Sequence, residues 1–218
     1  MTAVAVFVKT PGHSSIKTRL AASLGKEKAE AFYLLSCQWT AQVLKETQSQ
    51  VICKPFWAVA EKEALNSSYW KSFESVYQGE GDLGDRLYLV YESLLRRFGS
   101  VIVLGADSPE LSAEDIIKAV RELNGSDKAS FVLGKTIDGG FYLFGGKVGV
   151  PREIWKSIEY SQNTTGNSLE KSIQYLGSIK FLPICADVDL REDLREVMSR
   201  LKVNDPQKHS ALLALNLI

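Results

Sequence analysis

The sequence predicts a three-layer α/β/α sandwich with a mostly parallel sheet, because short apolar segments alternate with segments of helical periodicity. Residues 3–8 (AVAVFV) are continuously apolar and rich in β-branched side chains, as expected of a strand buried on both faces. Residues 101–104 (VIVL) have the same character. Between them, apolar side chains recur every three or four positions over roughly residues 26–47, which predicts an amphipathic helix.

The remaining pattern continues this alternation. Further strands are predicted at residues 51–60, 75–78, 130–133, 141–144 and 179–184. Further helices are predicted at residues 83–97 with Gly99 closing the helix, from a capping box Ser112-x-x-Asp115 to Gly125, at residues 165–176, and through residues 190–201. Ligands of such sheets bind where the strands end, so the loops after the strands are the candidate site.

Length and charge exclude several classes of protein. The 218 residues predict a single domain over residues 1–218, and no apolar stretch approaches the ~20 residues of a membrane span. With 26 basic and 26 acidic side chains, the net charge is zero, so we expect neither nucleic acid nor an anionic membrane as a partner.

The three cysteines form no CxxC pair, which favours a cytoplasmic location. No GxSxG, HExxH or EF-hand motif occurs, so serine-type and zinc-type hydrolysis are not expected.

The loop after the first strand has the composition of a phosphate-binding loop. Small residues at positions 12, 14 and 15 leave backbone amides accessible, and Lys17 and Arg19 add two positive charges before a helix begins. Amides, cations and a helix N-terminus together suit a polyphosphate. A solvated basic loop is the alternative that the composition allows.

Residues 79–84 formally match GxGxxG, and Asp107 lies 23 residues after Gly84, the spacing of a dinucleotide-binding motif. However, the motif follows a weak mid-chain strand rather than the first strand. Glu80 and Asp82 inside the turn would repel a pyrophosphate. We therefore predict that these residues do not bind a dinucleotide; a purely structural glycine turn is the other alternative.

Aspartates follow two of the predicted strands. Asp107 comes after residues 101–104, and Asp187 and Asp189 come after residues 179–184. Carboxylates at the end of parallel strands suit Mg²⁺ held between protein and substrate phosphates, so we expect all three within about 10 Å of one another. Asp107 could instead belong to an Asp-x-Pro turn, and Asp189 with Glu192 could cap the last helix. Asp138-Gly139-Gly140 lies between two strands and is typical of a hairpin turn.

In this order, these segments resemble the bacterial family of GT-A-type glycosyltransferases, also described as nucleotide-diphospho-sugar transferase-like proteins. They are more distantly similar to the 2-phospholactate and phosphoenolpyruvate guanylyltransferases. The resemblance covers essentially the whole chain. The residues that carry it are Lys9, Pro11, Lys17-Thr18-Arg19-Leu20, Gly81-Asp82-Leu83-Gly84, Arg86, Gly105, Asp107, Pro109, Asp138-Gly139-Gly140-Phe141-Tyr142-Leu143, Asp187, Asp189 and Glu192-Asp193-Leu194.

The resemblance implies a GT-A-like fold and a role for each loop. Asp107 would hold Mg²⁺ or Mn²⁺ with Asp187 and Asp189, and Asp138, Gly139 and Gly140 would line the acceptor side. The residues that it implies for nucleotide binding are Lys9, Pro11, Lys17, Arg19, Gln78, Gly81 and Gly84. Lys17, Arg19 and Asp107 would act in catalysis, which in such enzymes is mostly positioning and charge stabilisation.

The implied activity is metal-dependent transfer from a nucleotide-activated donor, with glycosyl transfer from a nucleoside-diphosphate sugar to a small-molecule acceptor as the leading interpretation. Nucleotidyl transfer from a nucleoside triphosphate to a phosphorylated small molecule, with release of pyrophosphate, is the closest alternative. A non-catalytic nucleotide-binding module is an alternative of another class. An NAD-dependent oxidoreductase is the remaining alternative. The sequence predicts neither the base, sugar and acceptor nor the oligomeric state.

Overall fold

The computed structural model describes residues 1–125 and 129–217, which form an α/β fold. The strands of the described residues are β1 (Thr2–Val8), β2 (Cys53–Val59), β3 (Glu74–Tyr77), β4 (Ser100–Leu104), β5 (Phe131–Lys135), β6 (Phe141–Gly146) and β7 (Ile179–Phe181). The α-helices are α1 (Thr18–Leu24), α2 (Lys26–Gln48), α3 (Leu83–Phe98), α4 (Ala113–Asn124), α5 (Arg152–Ser157), α6 (Thr165–Ile173), α7 (Arg191–Asn204) and α8 (Pro206–Ala214).

The strands form one sheet in the order β3-β2-β1-β4-β6-β5-β7. β1 pairs with β2 and β4 in parallel, and β5 pairs with β7 in parallel. β6 runs antiparallel to both of its neighbours. The carboxyl ends of the other six strands therefore meet at one edge of the sheet, together with the amino end of β6. The predicted three-layer sandwich with a mostly parallel sheet is confirmed.

Both faces of the sheet are buried, which explains the continuously apolar strands. In β1, Val4 and Val6 pack towards α2 and α4, and Ala3 and Ala5 pack towards α3 and α5. A third apolar cluster joins α1 and α2 to α7 and α8. The three cysteines are buried and free. Within the described part of the chain, no helix is long and apolar enough to cross a membrane.

The predicted strand at residues 179–184 is too long, because β7 ends at Phe181. Pro183 has no N–H to continue the ladder. The chain nevertheless stays beside β5: Leu182 donates to the Leu133 carbonyl, and Cys185 donates to the Lys135 carbonyl. This irregular extension carries the chain across the sheet edge towards the end of β4.

Helix ends are mostly as predicted. The capping box of α4 at Ser112 and Asp115 is present, and Gly99 closes α3 in the left-handed conformation with φ 80°. The helix predicted at residues 165–176 ends earlier, at Ile173. Three helices were not predicted. α1 begins at Thr18, so Arg19 lies in its first turn and not before the first helix. α5 is only six residues long, and α8 begins at Pro206, directly after α7.

Candidate active site

A crevice made of two adjoining cavities lies at the edge where the parallel strands end. The larger cavity, of about 490 Å³, lies over the loop after β1, and the smaller, of about 250 Å³, lies over β4 and β6. The residues that line both are Phe7, Leu83, Asp107, Ser161 and Asp189. Ser161, a residue with a Cβ, has a left-handed φ of 60° at this junction. Such backbone strain concentrates at functional sites.

The loop after β1 is held by the elements around it. The Thr10 N–H donates to Oε2 of Glu61 at 2.9 Å, and Nε1 of Trp70 donates to Oγ1 of Thr10 at 3.0 Å. The hydroxyl of Tyr33 on α2 accepts from the Lys9 N–H and donates to the Lys9 carbonyl. The loop is therefore preorganised rather than a free basic segment.

Lys17 directs its ammonium group into the crevice. It precedes α1 with φ 43° and ψ 51°, a conformation that L residues adopt at a cost. Its Nζ lies 2.7 Å from Oδ2 of Asp107 and 2.8 Å from Oδ1 of Asp189, and its side chain is only 6% exposed. Arg19, more exposed, has Nη1 3.5 Å from Oδ2 of Asp189. Both cations line the larger cavity, as predicted.

The electrostatics of this cluster are dominated by burial and by the crowding of carboxylates. Burial alone would lower the pKa of Lys17, but Asp107, Asp187 and Asp189 outweigh it and raise that pKa above its ordinary value. Burial raises the pKa of Asp187 well above its usual range, and the neighbouring charge of Asp107 raises it further. The charged ammonium therefore compensates carboxylates that would otherwise repel one another.

The three aspartates converge although about eighty residues separate them. One carboxylate oxygen each from Asp107, Asp187 and Asp189 lies within 4.8 Å of the others. The Val188 N–H donates to the Asp107 carbonyl at 3.2 Å, which joins the segment after β7 to the end of β4. The expected proximity within about 10 Å is confirmed.

Asp189 does not cap the last helix. Instead, the carboxylate of Asp193 accepts from the N–H groups of Asp189 at 3.0 Å and Leu190 at 2.7 Å. The interpretation of Asp189 and Glu192 as N-cap and N3 residues was wrong, because the helix starts one residue later than they imply, with Asp193 at N3. Asp189 is thereby left to face the crevice.

The donor set fits a divalent cation that prefers oxygen ligands. Mg²⁺ takes octahedral oxygen ligands at about 2.1 Å, so opposite ligands lie about 4.2 Å apart. The three carboxylate oxygens lie within 4.8 Å of one another, which is close to such distances. Nζ of Lys17 now contacts two of these carboxylates and would have to share them with the cation.

The glycines of residues 79–84 form the turn that leads into α3 and allow the start of this helix to pack closely. Asp82 caps α3 by accepting from the Asp85 N–H at 2.9 Å. A Cβ on Gly81, which has φ 100°, would meet the Asp85 side chain. A Cβ on Gly84 would lie 2.5 Å from the carbonyl oxygen of Trp155, so Gly84 allows α3 to pack closely on α5. Residues 79–84 thus end in the first turn of α3.

Some of the other predicted site residues line the crevice, and the rest lie outside it. Gln78 lines the larger cavity with Lys9, and its Nε2 donates to the carbonyls of Val8 and Ala58. Asp138 and Gly140 line the smaller cavity. Among the described residues, Pro11, Gly81, Gly84 and Gly139 lie outside both cavity linings.

The Asp138-Gly139-Gly140 segment is the turn between β5 and β6, as its sequence predicted. Oδ1 of Asp138 accepts from the Thr136 hydroxyl and from the Gly140 N–H. The Gly139 carbonyl accepts from the Gly166 N–H at 2.9 Å, so the turn docks on α6. Gly139, with φ 89°, leaves no room for a Cβ beside Asn163. The hairpin interpretation is correct, and of the three residues Asp138 and Gly140 line the crevice while Gly139 does not.

Sequence reasoning missed several residues that line the crevice or hold the loop beside it. Glu61 follows β2 as Asp107 follows β4, so the rule that found Asp107 would also have found Glu61. No comparable pattern marks Tyr33 and Trp70, which lie in segments whose periodicity indicates only core packing. Phe7, the last residue but one of β1, and Leu83, the first residue of α3, line both cavities.

This fold is that of known nucleotide-sugar and nucleotide transferases. A structure described as a "putative nucleotide-diphospho-sugar transferase" from Desulfovibrio desulfuricans G20 matches with TM-score 0.85 and 22% identity, covering 99% of this chain and 94% of that one. A 4-diphosphocytidyl-2C-methyl-D-erythritol synthase from Anaerococcus prevotii DSM 20548 matches with TM-score 0.55 and 10% identity, covering 92% and 98%. A CMP:2-keto-3-deoxy-manno-octonic acid synthetase complexed with CTP matches with TM-score 0.52 and 11% identity, also covering 92% and 98%.

The sequence identifies the family within this fold. Residues 38–162, more than half of the chain, match the family described as an uncharacterized protein conserved in bacteria (DUF2064). The chain belongs to this family. No curated protein matches the sequence significantly.

Proposed function

We propose that this protein is a divalent-metal-dependent transferase that acts on a nucleotide-activated donor, with glycosyl transfer from a nucleoside-diphosphate sugar to a small-molecule acceptor as its reaction. The observation that carries the proposal is the meeting of Lys17 with Asp107, Asp187 and Asp189 at the bottom of the crevice. A buried cation beside clustered carboxylates, at the edge where ligands of parallel sheets bind, suits a diphosphate held with a metal ion.

In this proposal Asp107, with Asp187 or Asp189, would hold the metal ion, which would supply positive charge to neutralise the diphosphate. Lys17 and Arg19 bind phosphate oxygens from the side of the β1 loop. Gln78 and Lys9 border the base, and Asp138 and Gly140 border the acceptor. These residues position the substrates and neutralise negative charge, so the reaction requires no nucleophilic side chain.

Nucleotidyl transfer is the second candidate, favoured by the fold shared with two synthetases, one of them complexed with CTP. The two reactions release different products. Glycosyl transfer releases a nucleoside diphosphate from a sugar nucleotide, and nucleotidyl transfer releases pyrophosphate from a nucleoside triphosphate.

The test is a thermal-shift screen of nucleotides and sugar nucleotides with and without Mn²⁺, followed by product analysis for each stabilising ligand. We expect stabilisation by a nucleoside diphosphate that requires Mn²⁺, and loss of metal-dependent turnover in Asp107→Asn with the fold intact. Glu114→Gln, an exposed carboxylate on α4, is the control. Full turnover in the presence of a chelator, or in Asp107→Asn, would refute the proposal.

A further inference from the structure

The two cavities of the crevice differ in charge. The larger cavity is lined by three cations, Lys9, Lys17 and Arg19. The described lining of the smaller cavity contains no Lys, Arg or His, but it contains four carboxylates, those of Asp107, Asp138, Asp187 and Asp189. Lys17 already pairs with Asp107 and Asp189. Asp138 has no ion-pair partner among the described residues, so an anionic group beside it would be repelled by an uncompensated carboxylate.

The smaller cavity also has an apolar wall. Its apolar lining residues include Phe7, Leu83, Leu87, Phe141 and Tyr160. The hydroxyl of Tyr160 donates to the Trp155 carbonyl at 2.9 Å, which fixes this side chain. The hydroxyl of Thr165 donates to the Glu159 carbonyl at 2.7 Å. The wall thus offers mainly carbon atoms to a ligand.

Asp138 supplies a fixed hydrogen-bond acceptor in the same cavity. The hydrogen bonds from the Thr136 hydroxyl and the Gly140 N–H both reach its Oδ1. Oδ2 is the oxygen left to accept from a ligand. A carboxylate can only accept hydrogen bonds when ionised, so it selects ligands that donate, such as hydroxyl groups.

We propose that the smaller cavity binds an uncharged, hydroxyl-bearing ring of monosaccharide size and rejects groups that carry a carboxylate or a phosphate. This inference rests on the proposed function, in which the larger cavity holds the nucleotide and its diphosphate. A sugar ring has hydroxyls that donate to carboxylates and a C–H face that packs on aromatic side chains. About 250 Å³ lies just below the usual range of about 300–1,000 Å³ for small-molecule sites. The inference places the sugar of the donor beside Asp138 and Gly140, at the border with the acceptor, and it favours transfer of a neutral sugar over transfer to a phosphorylated acceptor.

The test compares two ligands that differ by one charge. UDP, GDP, CDP and ADP are first compared in the presence of Mn²⁺, and the one that binds most tightly determines which nucleoside the test ligands carry. Its neutral hexose conjugate and the matching uronate conjugate, in which a carboxylate replaces the hydroxymethyl group, are then titrated by calorimetry. We expect the neutral conjugate to bind at least about tenfold more tightly, and the ratio to shrink as salt is raised.

Variants locate the effect in the smaller cavity. Asp138→Asn should reduce the ratio of the affinity for the neutral conjugate to the affinity for the uronate conjugate. Asp138→Lys should remove this preference or invert it. Glu153→Gln, an exposed carboxylate at the start of α5, should retain the wild-type ratio. Circular dichroism checks that each variant is folded, and Asp138→Asn keeps the side-chain shape if the lysine variant does not fold.

The outcomes separate the two proposals. Equal or tighter binding of the uronate by the wild-type protein overturns this inference and leaves the proposed function standing. An unchanged ratio in Asp138→Asn and in Asp138→Lys also overturns it. Failure of all four nucleoside diphosphates to bind with Mn²⁺ overturns the proposed function, and this inference with it.

Discussion

Nζ of Lys17 lies 2.7 Å from Oδ2 of Asp107, ninety residues further along the chain. The same ammonium lies 2.8 Å from Oδ1 of Asp189. A single buried cation thus holds together the loops after β1 and β4 and the segment after β7. These contacts make Lys17 both a structural counter-ion and a competitor for any metal ion at the three aspartates.

Replacement of Lys17 by Met should destabilise the metal-free protein, because it leaves crowded carboxylates without their counter-ion. Breaking a buried pair costs about 3–5 kcal/mol, and the partly exposed partners reduce this to about 1–3 kcal/mol. Mn²⁺ should bind the variant more tightly than the wild type, since the ammonium no longer competes. Urea unfolding with a chelator measures the change in stability, and calorimetry with Mn²⁺ measures the change in affinity.

Lys9→Met, which replaces an exposed lysine of the same crevice, is the control. Equal stability of the two variants would contradict the role of Lys17 as a counter-ion.

Asp193→Ala should lower the free energy of unfolding by about 1 kcal/mol, as expected for loss of a helix cap. It should also weaken Mn²⁺ binding by about tenfold or more, because the backbone of Asp189 loses the contact that orients it. Denaturant unfolding and Mn²⁺ titration test both effects. Glu192→Ala, exposed in the same helical turn, should change neither quantity. If the two variants behave alike, Asp193 is not the positioning residue.

Asp85→Asn should destabilise the protein at pH 7 and lose its effect in acid. The Arg152 guanidinium hydrogen-bonds Oδ1 of Asp85 from two nitrogens, at 2.9 and 2.7 Å, and holds the pKa of Asp85 below its ordinary value. A carboxyl with a lowered folded-state pKa stabilises above its unfolded pKa of about 3.9, and this contribution disappears as the pH falls through the folded value. Unfolding of both proteins is compared from pH 7 to pH 2. Glu92→Gln, which removes an i,i+4 pair with Arg96, should have a smaller effect at pH 7; a pH-independent Asp85→Asn effect would rule out the ion pair as its cause.

Gly84→Ala should lower stability by about 1–3 kcal/mol, because the added Cβ overlaps the Trp155 carbonyl and forces α3 away from α5. Gly149→Ala is the matched control, since the nearest atom to its added Cβ lies at 3.6 Å. Thermal unfolding measures the difference between the two. A fully stable Gly84→Ala variant would show that this helix contact is not limiting.

Much of this molecule could be predicted from local sequence. Buried parallel strands are continuously apolar, so residues 3–8 and 101–104 could be placed from composition alone. The rule that polar residues follow such strands found Asp107, Asp187 and Asp189, and their convergence is confirmed by the structure.

What could not be predicted depends on long-range contacts. The contact of Lys17 with Asp107 and Asp189 needs the left-handed backbone at Lys17, which the residue type disfavours. The residues between β7 and α7 have no periodicity that fixes the first turn of the helix. The sequence therefore left open whether Asp189 caps that helix, and the carboxylate found there is that of Asp193. Anchors such as Glu61 act on a loop fifty residues away, so no local pattern marks their target.

The placement of Lys17 and Asp189 at opposite ends of the chain, 172 residues apart, sets the order in which this protein acquires its chemistry during synthesis. A nascent chain that has emerged from the ribosome only as far as α6 contains Lys17 and Asp107 but neither of the other two carboxylates. The complete cluster exists only after the segment between β7 and α7 has been translated and has docked on β5. The proposed metal site is therefore complete only late in synthesis, so a metal ion bound there would not guide the early steps of folding.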